Sequence, residues 1–206
     1  MRSLLRCGIL VAGLACAPDP ALAQGRSTDP DWPCQQRLVP KLSAGLFWSG
    51  PSVNAGEEWR KEPDVAALVE RISPRRVTAA QGKEAIGAFA QQLGEDRSRR
   101  LSLAFTGLLE ETNRQRTELI ERIKDFARRQ RELADIAARA GEELGKIPED
   151  AGGEAAARRK DLEQRHQYVS MAFQEAQRTL RYVCEAPVQL EARLGDYARA
   201  LKAALP

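Results

Sequence analysis

The sequence predicts an all-α fold, and three observations lead to this class. Alternation of apolar and polar residues with a period of two never extends beyond a few residues, which argues against strands. Residues 96–145 repeat apolar side chains at heptad spacing without a proline. Aromatic residues make up 5% of the chain and charged residues 30%, which is typical of long solvated helices. We expect a long antiparallel, coiled-coil-like helical hairpin, with short N-terminal and C-terminal helices forming a small disulfide-stapled head.

Residues 1–23 have the pattern of a secretory signal peptide. Arg2 and Arg6 supply the positive charge, residues 4–17 form an apolar run, and residues 21–23 read Ala-Leu-Ala, a small-x-small cleavage site. The apolar run has about 14 residues, fewer than the roughly 20 that a membrane span needs. We therefore expect the segment to be removed by cleavage.

Cleavage after Ala23 would place the mature chain in the periplasm of a Gram-negative bacterium. It removes Cys7 and Cys16 and leaves Cys34 and Cys184 in an oxidising compartment, where disulfides persist. We expect these two to form a structural intramolecular disulfide. Intermolecular pairing and a redox role are the alternatives, although the close Cys-x-x-Cys spacing of redox pairs is missing. Lipidation of Cys16 instead of its removal is a further alternative.

The remaining chain of about 183 residues is long enough for one domain with an extension. Loss of Arg2, Arg6 and Asp19 lowers the formal net charge from +3 to about +2. Such a balanced charge, together with export, argues against nucleic acid as a partner.

Residues 24–60 form a Trp/Pro/Gly-rich segment that differs from the rest of the chain. They hold all three tryptophans, four of the eleven prolines and four of the fifteen glycines, which excludes a long helix. We expect an ordered but irregular segment with one short turn within residues 42–47. Residues 61–206 follow as a helical domain.

Two short helices are predicted at the start of that domain, over residues 64–72 and 78–93. Thr78 and Gln81 have the spacing of a capping box at the start of the second helix. Ser73-Pro74 ends the first helix, and Gly94 ends the second. The apolar positions are Val65, Leu68, Val69 and Ile72 in the first helix and Ile86, Phe89, Ala90 and Leu93 in the second.

The strongest periodicity predicts a helix over residues 96–145, the first half of a coiled-coil arm that spans residues 96–185. Nine of its twelve seam positions are apolar, and Arg116 and Gln130 are polar interruptions that could fix the register. The seam positions are Phe105, Leu109, Thr112, Arg116, Leu119, Ile123, Phe126, Gln130, Leu133, Ala137, Ala140 and Leu144.

A Gly/Pro-containing loop over residues 145–153 then predicts that the chain turns back. A second arm helix is expected over residues 154–185, and a hairpin folded about residue 149 places Cys184 opposite Gln115. Pro187 is expected to break or kink the chain, so that residues 188–204 form a separate amphipathic helix.

The sequence lacks the usual constellations of catalysis, so we expect no enzyme and no catalytic, cofactor or metal site. It has no Walker loop, no Gly-x-Ser-x-Gly and no calcium loop. His166 is the one histidine and falls at a seam position of the second arm helix, where packing is the expected role. Adjacent carboxylates such as Glu110-Glu111 are interpreted as solvated surface rather than as a glycosidase pair.

The Trp-rich segment offers the best candidate recognition surface, because Trp and Arg are enriched at binding hot spots. The alternative is that its rings cap the helices and supply core that thin helices lack. The candidate residues are Trp32, Arg37, Phe47, Trp48 and Trp59.

These patterns favour a non-enzymatic periplasmic protein that acts through protein–protein interaction, as an adaptor or chaperone-like envelope factor. Its partner is expected to be another periplasmic or envelope protein. The alternative is a membrane-surface or cell-wall-associated factor that binds anionic headgroups through basic clusters such as residues 128–131 and 158–160. A homo-oligomer is also compatible with the polar seam residues.

Overall fold

The chain forms four helices in a computed structural model that describes residues 29–52 and 58–206. The helices are α1 (Pro63–Ile72), α2 (Ala79–Gln91), α3 (Arg97–Gly145) and α4 (Gly153–Ala203), with short 3-10 turns at Ala44–Leu46 and Trp59–Lys61. No strand occurs in these two ranges, which confirms the all-α class for them. None of their helices is long and apolar enough to cross a membrane. The predicted signal peptide lies outside the described residues.

The two short helices start where the local sequence predicts. The Thr78 hydroxyl accepts a hydrogen bond from the Gln81 backbone N–H at 3.2 Å, and the Gln81 side chain accepts one from the Thr78 N–H at 3.0 Å. This capping box is confirmed, and it satisfies backbone donors that the first turn of α2 leaves free. Pro63 begins α1, where its missing N–H costs nothing.

The largest core, which we call the head core, lies between α1, α2, the start of α3 and the end of α4. Its fully buried side chains include Val65, Ile72, Ile86, Leu101, Leu103, Phe105, Leu194 and Leu201. α1 packs on α3, and α2 packs on α4. Gly107 of α3 allows one close approach, because a Cβ there would lie 2.8 Å from the Trp59 ring and from Val69.

Beyond the head core, α3 and α4 pack against each other toward the loop that joins them. All twelve predicted seam positions of α3 are buried or half-buried. We call residues 124–145 of α3 and 153–180 of α4 the distal pair. Its buried side chains are few and mostly small: Ala127, Ala140, Leu162 and Val169. The apolar seam here is therefore only one layer thick.

The predicted break at Pro187 is wrong, because α4 continues through it from Gly153 to Ala203. Proline removes one backbone donor, which costs about 3 kcal/mol in a helix interior. Apolar side chains on both sides of Pro187, among them Val183 and Leu190, are packed within the fold and keep the helix continuous. The predicted separate helix over residues 188–204 is the last part of α4.

The predicted register of the two long helices is also wrong, by about one to two helical turns. Val183 packs on the cluster that contains Ile120 and Ile123, so its neighbour Cys184 lies nearer the joining loop than Gln115 does. The Gln115 amide instead donates to the Ser73 carbonyl at 3.0 Å, on the side of α1. α3 ends and α4 begins within one residue of the predicted positions, so the difference lies in how the two helices pack and not in their bounds.

Candidate functional site

Residues 29–42 form an irregular strap across α3 and α4, and ion pairs fasten its start. The Asp29 carboxylate lies 2.9 Å from Lys124 Nζ, and that of Asp31 lies 2.8 Å from Arg128 Nη1. The hydrogen bond from Lys124 lowers the pKa of Asp29, and the one from Arg128 lowers the pKa of Asp31. Both carboxylates are therefore ionised at neutral pH and hold the strap on α3.

Trp32 anchors the strap between the long helices. Its ring is 9% exposed and packs with Ile120 and Ile123 of α3. Its indole N–H donates to the Gln36 carbonyl at 2.7 Å, so the polar end of the ring is satisfied within the strap itself. Burial of this one large side chain fixes the turn of the strap that carries the cysteine.

The predicted disulfide is confirmed, and it joins the strap to α4. Cys34 and Cys184 have a Cα–Cα distance of 5.6 Å and an S–S distance of 2.05 Å. The Gln36 side-chain amide donates to the Cys184 carbonyl, so a hydrogen bond lies beside the covalent one. Both contacts fall within one turn before Pro187, where the helix lacks a backbone donor.

The end of the strap is held by two buried polar side chains of α3. The Asn113 amide accepts from the Leu42 N–H at 2.8 Å and donates to the Leu42 carbonyl at 3.1 Å. Arg116, only 2% exposed, donates to the Val39 carbonyl at 2.7 Å and pairs with Glu191 of α4. The polar seam residue Arg116 therefore joins three segments rather than α3 and α4 alone.

A groove of about 910 Å³ opens beside the disulfide, between the strap and the two long helices. Leu180, Val188 and the disulfide supply its apolar surface, and Arg181 and Glu185 are the only charged residues that line it within the described part of the chain. Five of the thirteen glutamines of the chain line it: Gln35, Gln36, Gln130, Gln177 and Gln189. We call this surface the amide groove. Each free amide offers an acceptor oxygen and two donor hydrogens, which suits a polar but uncharged ligand such as a polypeptide backbone.

The five residues predicted as a recognition surface lie in different places. Trp32 belongs to the small cluster under the strap, whereas Phe47, Trp48 and Trp59 pack on the head core. Arg37 is exposed. The structure therefore does not bring the three tryptophans together on one face.

Trp48 and Trp59 show the capping arrangement that was the alternative prediction. Trp48 stacks on Phe105 with ring centroids 4.8 Å apart, and its indole N–H donates to the Pro51 carbonyl at 2.9 Å. The Trp59 indole N–H donates to Glu110 at 2.8 Å, and the Arg60 guanidinium lies 4.1 Å from the Trp59 ring centroid. Both rings thus have their polar and apolar parts engaged within the chain.

His166 lies half-buried on the face of α4 that meets Gly141 of α3, in the predicted seam. No acidic side chain forms an ion pair with it in the described part of the chain. Across residues 29–52 and 58–206, no group of three His, Cys, Asp or Glu side chains is placed to hold a metal ion.

Two polar side chains that connect α4 to the end of α1 were not predicted from the sequence. Arg193 donates to the carbonyls of Ser73 at 2.8 Å and Pro74 at 2.9 Å, and burial lowers the pKa of Arg193. The Tyr197 hydroxyl donates to the Ile72 carbonyl at 3.2 Å, and burial raises the pKa of that phenol. The sequence did place both residues on the apolar face of α4. An arginine on such a face indicates a hydrogen-bond partner in the core, because a buried charge must be paired.

The amide groove and the exposed outer face of α4 were not predicted either. The groove gives no signal in the sequence, because its glutamines come from the strap, α3 and α4. The outer face carries Tyr168, Met171 and Tyr182, all largely exposed, and their heptad spacing was visible.

Comparisons of the chain with protein-family models, with curated proteins and with solved structures find no match.

Proposed function

We propose that this chain is an interaction protein of the bacterial cell envelope, an adaptor or chaperone-like factor without a catalytic centre. In this proposal α3 and α4 form an antiparallel coiled-coil hairpin, and the amide groove at its base binds an extended segment of another envelope protein. The groove is the observation that carries the proposal. Its volume of about 910 Å³ is in the range of ligand-binding clefts.

The chemistry of the groove favours a polypeptide over a small charged substrate. Glutamine amides pair with backbone N–H and C=O groups without regard to the side chains of the ligand. Leu180 and Val188 add apolar area, and Val188 is 47% exposed, so part of this area is open to a partner. Among the described residues that line the groove, one arginine and one glutamate compensate each other and leave this surface nearly neutral.

The strap makes one wall of the groove rigid before any partner binds. The disulfide, the Gln36–Cys184 hydrogen bond and the buried ring of Trp32 hold residues 32–36 in one position. A wall that is already ordered loses little conformational entropy on binding, so more of the contact energy contributes to affinity.

Export is part of the proposal and has two supports. Residues 1–23 have the charge and apolar pattern of a signal peptide. The Cys34–Cys184 disulfide is of a kind that persists in the periplasm and is rare in the bacterial cytosol.

The alternative, binding to anionic headgroups, has less support. Arg128 and Arg131 both pair with Asp31, and Arg159 pairs with Glu163 at 2.9 Å, so the predicted basic clusters are partly neutralised within the chain. Sedimentation with anionic liposomes at low salt tests this alternative. We expect no binding above that of neutral liposomes, because carboxylates of the chain already compensate part of the charge of these clusters.

The experiment that tests the proposal is site-specific photocrosslinking in the periplasm of the native host. A photoreactive amino acid replaces Val188 in the groove or, as the control, Leu46, which is also apolar and exposed but lies on the 3-10 turn of the head. We expect a discrete adduct with another envelope protein from position 188 and none of the same mass from position 46.

Two glutamine substitutions make the result specific to the groove. Gln35→Glu and Gln189→Glu place unpaired charge at two exposed lining positions, and we expect the adduct to fall about tenfold. Gln92→Glu at the end of α2 is the matched control and should leave it unchanged. The proposal is wrong if position 188 gives no adduct, or if all three variants behave alike.

A further inference from the structure

The outer face of α4 carries a stripe of side chains that the single chain leaves exposed. Tyr168, Met171 and Tyr182 are 76%, 63% and 75% exposed, and they account for three of the six large exposed apolar side chains of the described residues. Scattered exposed apolar residues are common, but an ordered row of them marks an interaction site. The full stripe is Tyr168, Met171, Glu175, Arg178 and Tyr182.

The spacing of the stripe is that of a second helix-packing seam. Its members follow one another by three and four residues, which keeps them on one face of a helix. The residues of α4 that meet α3, such as Leu162 and Val169, lie on the opposite face. The stripe is therefore open to a further helix while α3 remains in place.

The charges in the stripe are complementary to the same stripe running in the opposite direction. In an antiparallel coiled coil, the a positions of one helix lie opposite the d positions of the other. Tyr168, Glu175 and Tyr182 form one of these two sets in the stripe, and Met171 and Arg178 form the other. A twofold axis between residues 176 and 177 then places Glu175 opposite Arg178 of a second copy, and Met171 opposite Tyr182. In a parallel pairing Glu175 would instead meet Glu175, which is unfavourable.

The present contact between the two charged residues is weak enough to be exchanged. Arg178 Nη1 lies 3.4 Å from Glu175 Oε2 within the chain, and both side chains are more than 70% exposed. An ion pair so open to water contributes little to stability, because solvent screens it. Replacing it with pairs across an interface therefore costs little.

We propose that the outer face of α4 binds a second copy of this chain, antiparallel, through Tyr168, Met171, Glu175, Arg178 and Tyr182. The stripe spans 15 residues, or about 21 Å of helix, so the dimer is reversible rather than obligate. The amide groove contains none of these five residues, although the same register brings Tyr168 opposite the groove residue Glu185, so the two proposed surfaces adjoin.

The first test is sedimentation equilibrium of the purified mature protein over a wide range of concentration. We expect the average mass to rise toward that of a dimer. Glu175→Arg alone places two arginines opposite each other in both halves of the dimer, and Arg178→Glu alone places two glutamates together. Each variant should associate about tenfold more weakly, because like charges then face each other.

The decisive test mixes these two variants. In the mixed dimer two arginines of one copy meet two glutamates of the other, so we expect the mixture to associate about as tightly as the parent protein and more tightly than either variant alone. Glu84→Arg, an exposed change on α2, is the control and should leave the mass unchanged. Circular dichroism of each variant shows whether it is folded.

Three results would each overturn the inference. A monomer at every concentration rules out the dimer, and a dimer that neither charge change weakens rules out this surface. Variants that weaken association separately but do not recover it when mixed rule out the antiparallel register. Crosslinking from Val188 is unaffected by any of these results, so failure here leaves the proposed function standing.

Discussion

The head core and the distal pair belong to the same two long helices but are packed very differently. In the head core α3 and α4 are covered by α1, α2 and two irregular segments, and Leu101, Leu103 and Leu201 are completely buried. In the distal pair the two long helices pack mainly against each other, with the start of the strap bound to α3 at Lys124 and Arg128. The buried residues here are largely alanine and single aliphatic side chains. Two parts of the same long helices are therefore expected to differ in stability.

This contrast indicates where the free energy of folding of the chain resides. Apolar burial stabilises by about 25 cal/mol per Å², so large side chains surrounded on all sides contribute most. A two-helix layer with one solvated face on each helix has few such positions. We expect the distal pair to open locally at a lower free energy than the head core requires.

The largest effect should come from comparing one large residue of each region. Phe105→Ala removes a ring that stacks on Trp48, and we expect it to lower the free energy of unfolding by about 3–5 kcal/mol. Leu162→Ala in the distal pair should cost about 2 kcal/mol, because the solvated neighbourhood can close around the smaller side chain. Urea denaturation measures both values.

Hydrogen exchange then shows whether the two regions differ as expected. Leu162→Ala should speed exchange of amides near the joining loop and leave those of α1 and α2 unchanged. Phe105→Ala should speed exchange throughout the chain, because it destabilises the last region to open. Equal effects of both substitutions on all amides would contradict the comparison.

A smaller effect should come from removing the disulfide between the strap and α4. Replacing both Cys34 and Cys184 with serine should lower the free energy of unfolding by about 2–4 kcal/mol, because the chain without the bridge gains entropy when unfolded. Far-UV circular dichroism at low temperature should stay the same, since the strap has no helix to lose. Dithiothreitol should lower the melting temperature of the parent protein and leave that of the serine variant unchanged.

The smallest effect should be the pH dependence of the strap. The pKa values of Asp29 and Asp31 are lowered in the folded state by Lys124 and Arg128, so their contribution is present above the unfolded pKa of about 3.9. It is lost as the pH falls through the lower, folded pKa values. We expect the strap to loosen as the pH falls below about 4, which Trp32 fluorescence can follow in a protein whose Trp48 and Trp59 are replaced by phenylalanine.

A substitution separates this effect from general acid unfolding. Asp31→Asn should loosen the strap at pH 7 and differ less from the parent protein at pH 2, below the ordinary pKa of an aspartate carboxyl, where acid reduces the charge of Asp31 as well. Asp135→Asn removes an exposed carboxylate of α3 that forms no ion pair in the described ranges, so it should behave like the parent at both values. Identical fluorescence of Asp31→Asn and parent at pH 7 would mean that these ion pairs do not hold the strap.

Much of the fold could be predicted because the information was local or periodic. The bounds of α1, α2 and α3 follow from caps, prolines and glycines within a few residues of each end, as Thr78 and Gln81 show. The disulfide followed from a count, since two cysteines remain once the predicted signal peptide is removed. The break predicted at Pro187 was wrong for a physical reason. The loss of one backbone hydrogen bond at proline can be read from the sequence, whereas the packing that offsets it comes from distant segments.

The candidate site could be predicted much less well, because its parts are far apart in the chain. The sequence indicated that the three tryptophans are recognition or capping residues. The composition of the segment could not show that Trp32 packs in a different cluster from Trp48 and Trp59. Gln36 gave no signal at all, and only the folded chain brings its amide to the Cys184 carbonyl.

Periodicity, caps and a residue count were enough to define the helical class, the positions of the first three helices and the pairing of Cys34 with Cys184. Three features emerge only in the folded chain: α4 continues through Pro187, the strap encloses a groove, and Arg116 is a junction of three segments. The physical reason is that burial and hydrogen bonding between distant residues depend on positions in space, which spacing along the chain does not define.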